Sequence, residues 1–71
     1  MRFDYSKLLG RIKEFGYTQE NLAKETGMTK ATMSLKLNNK ASFTQPEIEK
    51  IRKILGITYG EIGAYFFTPK V

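Results

Sequence analysis

Apolar residues recur along the chain in five short groups, most at the three- and four-residue spacing of an amphipathic helix and each bounded by turn-forming residues. Leu8, Leu9, Ile12 and Phe15 form the first stripe, with Lys7, Arg11, Lys13 and Glu14 outside it. Asp4 stands ahead as an N-cap and Gly16 behind as a left-handed C-terminal cap, which predicts a helix over roughly 4–15. Leu22, Ala23 and Thr26 line a second helix, roughly 18–26, capped by Thr18 and carrying Glu20 near the positive end of its dipole. Ala23 is small enough to let another helix approach closely, and Gly27 supplies the positive φ that a sharp reversal requires. The third group is less regular. Ala31, Met33, Leu35 and Leu37 alternate with Lys30, Thr32, Ser34 and Lys36, the two-residue period of a strand. A lone strand between helices has nothing to pair with, so a helix over roughly 29–38 is predicted, ended by Asn38 and a left-handed Asn39. Met33 and Leu37 then face the core one turn apart, and Leu35 lies towards solvent or a partner.

Two later segments open on similar signals. Thr44-Gln45-Pro46-Glu47 is a capping-box pattern with proline in the first turn, followed by Ile48, Ile51, Ile54 and Leu55 and closed by Gly56, which predicts a helix over roughly 45–55. Phe43 is positioned to staple against Ile48. Thr58-Tyr59-Gly60-Glu61 repeats the device ahead of Ile62, Tyr65 and Phe66, giving a short helix over roughly 59–66 that Gly60 and Gly63 weaken and Pro69 stops. No internal repeat, low-complexity tract or linker interrupts residues 1–71. The expectation is one all-α domain of five short helices.

Composition narrows the function classes. The chain has no cysteine and no histidine, so the usual agents of nucleophilic and metal-assisted chemistry are absent and an enzyme is not expected. Neither a disulfide nor a thiolate zinc site can add stability, and a metal site is not expected. No stretch reaches the ~18 apolar residues of a membrane span, and the N-terminal residues lack the apolar core of a signal peptide. A soluble, cytoplasmic protein is expected. The net charge of +5 favours an acidic partner. Its distribution says more: between Glu25 and Glu47 there is no acid, while Lys30, Lys36 and Lys40 fall inside that gap.

The spacing of Gln19, Leu22, Ala23, Gly27, Met28 and Met33 resembles the helix-turn-helix of the Cro and lambda-type phage repressors, the XRE family. Five short helices with Leu55-Gly56-Ile57 between the last two are also similar to that family's pattern, and the segment KLNNKASFTQPEI resembles a subgroup of small prophage regulators. The resemblance implies a lambda-repressor-like domain whose third helix enters the major groove of operator DNA, where each base pair shows a distinct pattern of donors and acceptors. Carried over residue by residue, it implies base contacts from Lys30, Ala31, Ser34 and Leu35. It implies phosphate contacts from Thr18, Gln19, Thr29, Thr32, Lys36, Asn38, Asn39 and Lys40, although Thr18, Thr29 and the asparagines can also act only as helix termini. A homodimer is implied through Tyr59, Tyr65, Phe66 and Phe67, so that two third helices meet half-sites one DNA turn apart.

Two positions depart from the family pattern. Lys36 stands where most members have a large apolar residue, which leaves that packing to Leu37, and Leu35 stands where many have a polar base reader. The function implied is a sequence-specific transcriptional regulator that needs no cofactor. The alternative is an antirepressor that keeps the fold but docks on another phage regulator, with Leu35 and Leu37 as interface anchors.

Overall fold

The computed structural model describes residues 2–70. It is all-helical: α1 Ser6–Glu14, α2 Gln19–Glu25, α3 Lys30–Leu37, α4 Gln45–Leu55, a single 3-10 turn Tyr59–Glu61, and α5 Ile62–Phe66. Among the described residues the only extended pairing is an isolated bridge between Phe3 and Pro69. No helix there is long and apolar enough to cross a membrane.

Helix α1 begins two residues after Asp4. The Asp4 backbone is committed elsewhere, its N–H donating to Thr68 O at 2.7 Å. Its carboxylate instead accepts from the side chain and the amide of Ser6, at 2.6 and 2.8 Å, and those bonds hold it below the usual carboxylate range. The buried stripe is also narrower than the spacing suggests. Leu8 and Ile12 are buried, whereas Leu9 and Phe15 remain 40% and 43% exposed. Phe15 lies under the Arg11 guanidinium, 4.4 Å from its ring centre, and against Gly56. A Cβ on Gly56 would meet Phe15 and Arg11 at 3.5 Å, and its φ of 64° already favours glycine.

Helices α2 and α3 pack on each other across the turn at Gly27, whose φ is 78°. Leu22 and Ala23 are buried beneath that crossing. Thr26, also buried, satisfies its hydroxyl by donating to the Leu22 and Ala23 carbonyls at 2.9 and 3.0 Å. Thr18 caps α2 by accepting from Asn21 N, and Thr29 caps α3 by accepting from Thr32 N, both at 3.1 Å.

Helix α4 closes the core from the other side. Thr44 and Glu47 form a reciprocal capping box, and Ile48, Ile51 and Leu55 face inward, with Ile54 half-buried. Arginines hold its C-terminal end: Arg11 Nε donates to Leu55 O at 2.9 Å, and Arg52 Nη1 donates to Ile57 O, two residues past the helix, at 3.1 Å. These residues join Leu8, Ile12, Leu22, Met33, Leu37, Ile57 and Phe66 in one cluster. Phe43 turns towards the rings of Tyr5 and Phe66, meeting both edge to face at 5.6 and 5.5 Å. Such pairs add ~0.5–1.5 kcal/mol each beyond the area they bury.

Candidate regulatory surface

The rotation of α3 decides which of its residues a partner can reach. Met33, Lys36 and Leu37 face inward, so the helical period governs and the alternation in the sequence carries no strand. Lys30, Ala31 and Leu35 are exposed, Thr32 and Ser34 are half-buried, and Leu35 keeps 46% of its surface in solvent. Thr18 and Thr29 are exposed and Gln19 is half-buried at the start of α2. The result is an outward face of small and polar side chains with one leucine in its last turn.

Lys36 corrects the sequence reading. It was assigned to phosphate, but its side chain is buried and its ammonium is ion-paired with the Glu47 carboxylate on α4. The four-carbon stem lies along the core, and the charge meets its partner there rather than at the surface. The same carboxylate oxygen accepts from Thr44 N at 2.8 Å. Burial pushes the Glu47 carboxyl upward, but the bonds from Lys36 and Thr44 outweigh it and hold the group below its ordinary value. One glutamate therefore closes the α4 cap and fixes α3 against α4. The Thr-x-x-Glu pattern signalled the first role; nothing in the spacing signalled the second.

Asn39 is the second correction. Its amide is turned towards the N-terminal segment, with Oδ1 accepting from Phe3 N at 2.8 Å and Nδ2 donating to Phe3 O at 2.9 Å. That side chain is occupied. Asn38 caps the helix end by donating to Ser34 O at 2.8 Å, and Lys40 is exposed just beyond it. Thr29 and Thr32 hydrogen-bond each other at 2.9 Å as part of the N-terminal cap.

The aromatic end divides in two. Tyr65 and Phe66 belong to the core, 6% and 1% exposed, because α5 is only five residues long and turns its apolar side wholly inward. They are not available as interface residues. Tyr59 and Phe67 are exposed, at 69% and 49%. Tyr59 is held in place: the Arg52 guanidinium stacks 4.0 Å from its ring centre, and its hydroxyl donates to Glu49 at 3.1 Å. The hydrogen bond from Arg52 keeps the Glu49 carboxyl below its ordinary value. Phe67 packs edge-on against Phe3 at 5.7 Å. No cluster of three or more metal-ligating side chains occurs among the described residues.

The domain is thus all-helical, with α2 and α3 paired and α3 turning small and polar side chains outward. Residues 1–69 match the family described as protein of unknown function (DUF739), and the chain belongs to that family. It is similar to the modulator of repression (MOR) of the temperate bacteriophage TP901-1 from Lactococcus lactis, known from a solution structure, at 44% identity and a TM-score of 0.80. That similarity covers 100% of this chain and 96% of the other. Comparison with curated proteins gives no match.

Proposed function

We propose that this chain modulates repression in a phage or prophage by docking on a repressor protein through the outward face of α3, with no catalysis or cofactor of its own. The observation that carries the reading is Leu35, 46% exposed on that face while its neighbour Lys36 is withdrawn and neutralised by Glu47. Burying the 46% of Leu35 still in solvent on a partner contributes on the order of 1 kcal/mol. The 44% identity to a phage modulator of repression supports the same reading.

A second reading keeps the face and changes the partner. The acid-free run from Thr26 to Pro46 favours DNA. Lys30, Ala31, Ser34 and Leu35 would then meet base edges, with Thr18, Gln19, Thr29, Thr32, Asn38 and Lys40 on phosphates. Paired half-sites would require two copies, and Tyr59 and Phe67 are the aromatic residues still exposed to join them.

Titration of the chain against the repressor of its phage, beside titration against operator and random duplexes over a salt series, separates the two readings. The docking reading expects a stable heterocomplex that Leu35→Ser weakens several-fold, up to about tenfold, and Lys30→Ala changes little, since burying the exposed half of a leucine is worth on the order of 1 kcal/mol. The DNA reading expects log K to fall with log salt at about −0.9 for each phosphate neutralised. A heterocomplex indifferent to Leu35→Ser sinks the docking face, and a flat salt dependence sinks the DNA reading.

A further inference from the structure

We infer that Asn39 is a positioning residue that ties the exit of α3 to the N-terminal segment, so that residues 2–5 help to orient the docking face. Asn39 is the only non-glycine residue with positive φ among the described residues, at 63°. A glycine would satisfy that backbone without strain. The asparagine adds something a glycine cannot: its carboxamide has the donor and acceptor of a peptide group, and both are used on Phe3, 36 positions away. The side chain thus acts as a one-residue strand edge.

The other edge of the segment is the C-terminal one. Asp4 N donates to Thr68 O at 2.7 Å, Lys70 N donates to Arg2 O at 3.1 Å, and Phe3 bridges Pro69. Residues 2–4 are therefore extended between the chain's C-terminal residues on one side and Asn39 on the other. Beyond Asn39 the grip continues into α3. Asn39 N donates to Lys36 O at 3.2 Å, and Lys40 N donates to Leu35 O at 2.8 Å. The last turn of α3 is then held at two points, by Lys36 on Glu47 of α4 and by Asn39 on Phe3. Together with buried Met33 and Leu37, these two ties fix the rotation of the helix, and that rotation is what exposes Leu35. This role rests on α3 being the docking face.

Two variants test it. Asn39→Gly keeps the positive φ and removes both bonds; Asn39→Asp keeps an acceptor but turns an anion towards Phe3 O. Amide exchange and amide chemical shifts report on the isolated protein, and titration with the phage repressor reports on docking. In Asn39→Gly the Phe3 amide should exchange about tenfold faster, as expected for losing two partly exposed hydrogen bonds. The Leu35–Lys40 signals should shift while Leu22 and Ile51 keep their protection, and affinity for the repressor should fall by more than the melting midpoint implies. Asn39→Asp should behave like Asn39→Gly or worse. Unchanged Phe3 exchange, or unmoved α3 signals, overturns the proposal, as does unchanged affinity after the α3 signals move. Wild-type protein that binds no repressor overturns the docking reading instead, and exchange with shifts still decides whether Asn39 orients α3.

Discussion

Helices α3 and α4 lie against the same core, yet their conformations are specified in different ways. Helix α4 carries its instructions in its own residues: a reciprocal cap at Thr44 and Glu47, Pro46 in the first turn, Ile48, Ile51 and Leu55 on one stripe, and Gly56 at the end. Helix α3 is eight residues long, barely two turns, and its apolar and polar residues alternate. Only Met33 and Leu37 root it in the core, and its rotation is completed from outside, by Glu47 on α4 and by Phe3 through Asn39. The self-specified helix supports, and the helix specified by its neighbours presents a surface. A helix that binds must leave good apolar area in water, so its own pattern is a poor guide to its rotation.

Core truncations should break this contrast most strongly. Ile51→Ala in α4 and Met33→Ala in α3 both empty fully buried sites and should each cost ~2–5 kcal/mol by denaturant unfolding. Leu35→Ala, two residues along α3, should cost less than ~1 kcal/mol, because nearly half of its surface is in solvent already. A Leu35→Ala loss as large as that of Met33→Ala would mean that α3 is rotated otherwise.

The next effect tests the link between the two helices. Glu47→Leu leaves the buried Lys36 ammonium without its partner and should cost ~3 kcal/mol. Lys36→Met fills the same space without a charge, while Glu47 still accepts from Thr44 N, so it should change stability by less than ~1.5 kcal/mol. Equal losses from the two substitutions would show that the ion pair itself, rather than the stranded charge, carries the energy.

These pairs also mark what the sequence could show. The five helices, the turn at Gly27 and the left-handed Asn39 follow from local signals: spacing, caps and turn residues. The inward turn of Lys36 does not, since no local rule pairs it with a carboxylate eleven residues away that already had a capping role. Leu9 and Phe15 fit the α1 stripe by spacing but lie at its edges, and Phe15 packs on Arg11 and Gly56 rather than in the core. The aromatic end was hardest. Exposure of Tyr59 against burial of Tyr65 depends on where a five-residue helix sits, which tertiary packing decides. The side-chain positions of Lys36 and Asn39, both expected towards phosphate, escape the local pattern for the same reason: each finds a long-range partner inside the molecule.

The smallest effects separate the two Thr-x-x-Glu sequences, which look alike along the chain and differ in space. At Thr44 the box is reciprocal, so Thr44→Ala should cost ~1 kcal/mol, lowering the melting midpoint by roughly 4–8 °C for a domain of this size. At Thr58 the Glu61 carboxylate accepts from the Thr58 amide and hydroxyl, while Glu61 N bonds the Thr58 carbonyl, so Thr58→Ala should cost about half as much or less. Acid should rank the glutamates in the same order. Both carboxyls lie below their ordinary value in the folded chain, Glu47 through Lys36 and Thr44 against the pull of burial, Glu61 through the Thr58 bonds. A lowered folded value means that the contribution is present above the unfolded value of 4.5 and is lost as the pH falls through the folded one. The melting midpoint should therefore drop as the pH falls from about 5 towards 3. Glu47→Gln should flatten that drop more than Glu61→Gln, because Glu47 alone is half-buried and paired with a buried lysine. The reverse order would mean that the tie between α3 and α4 is weaker than an exposed cap.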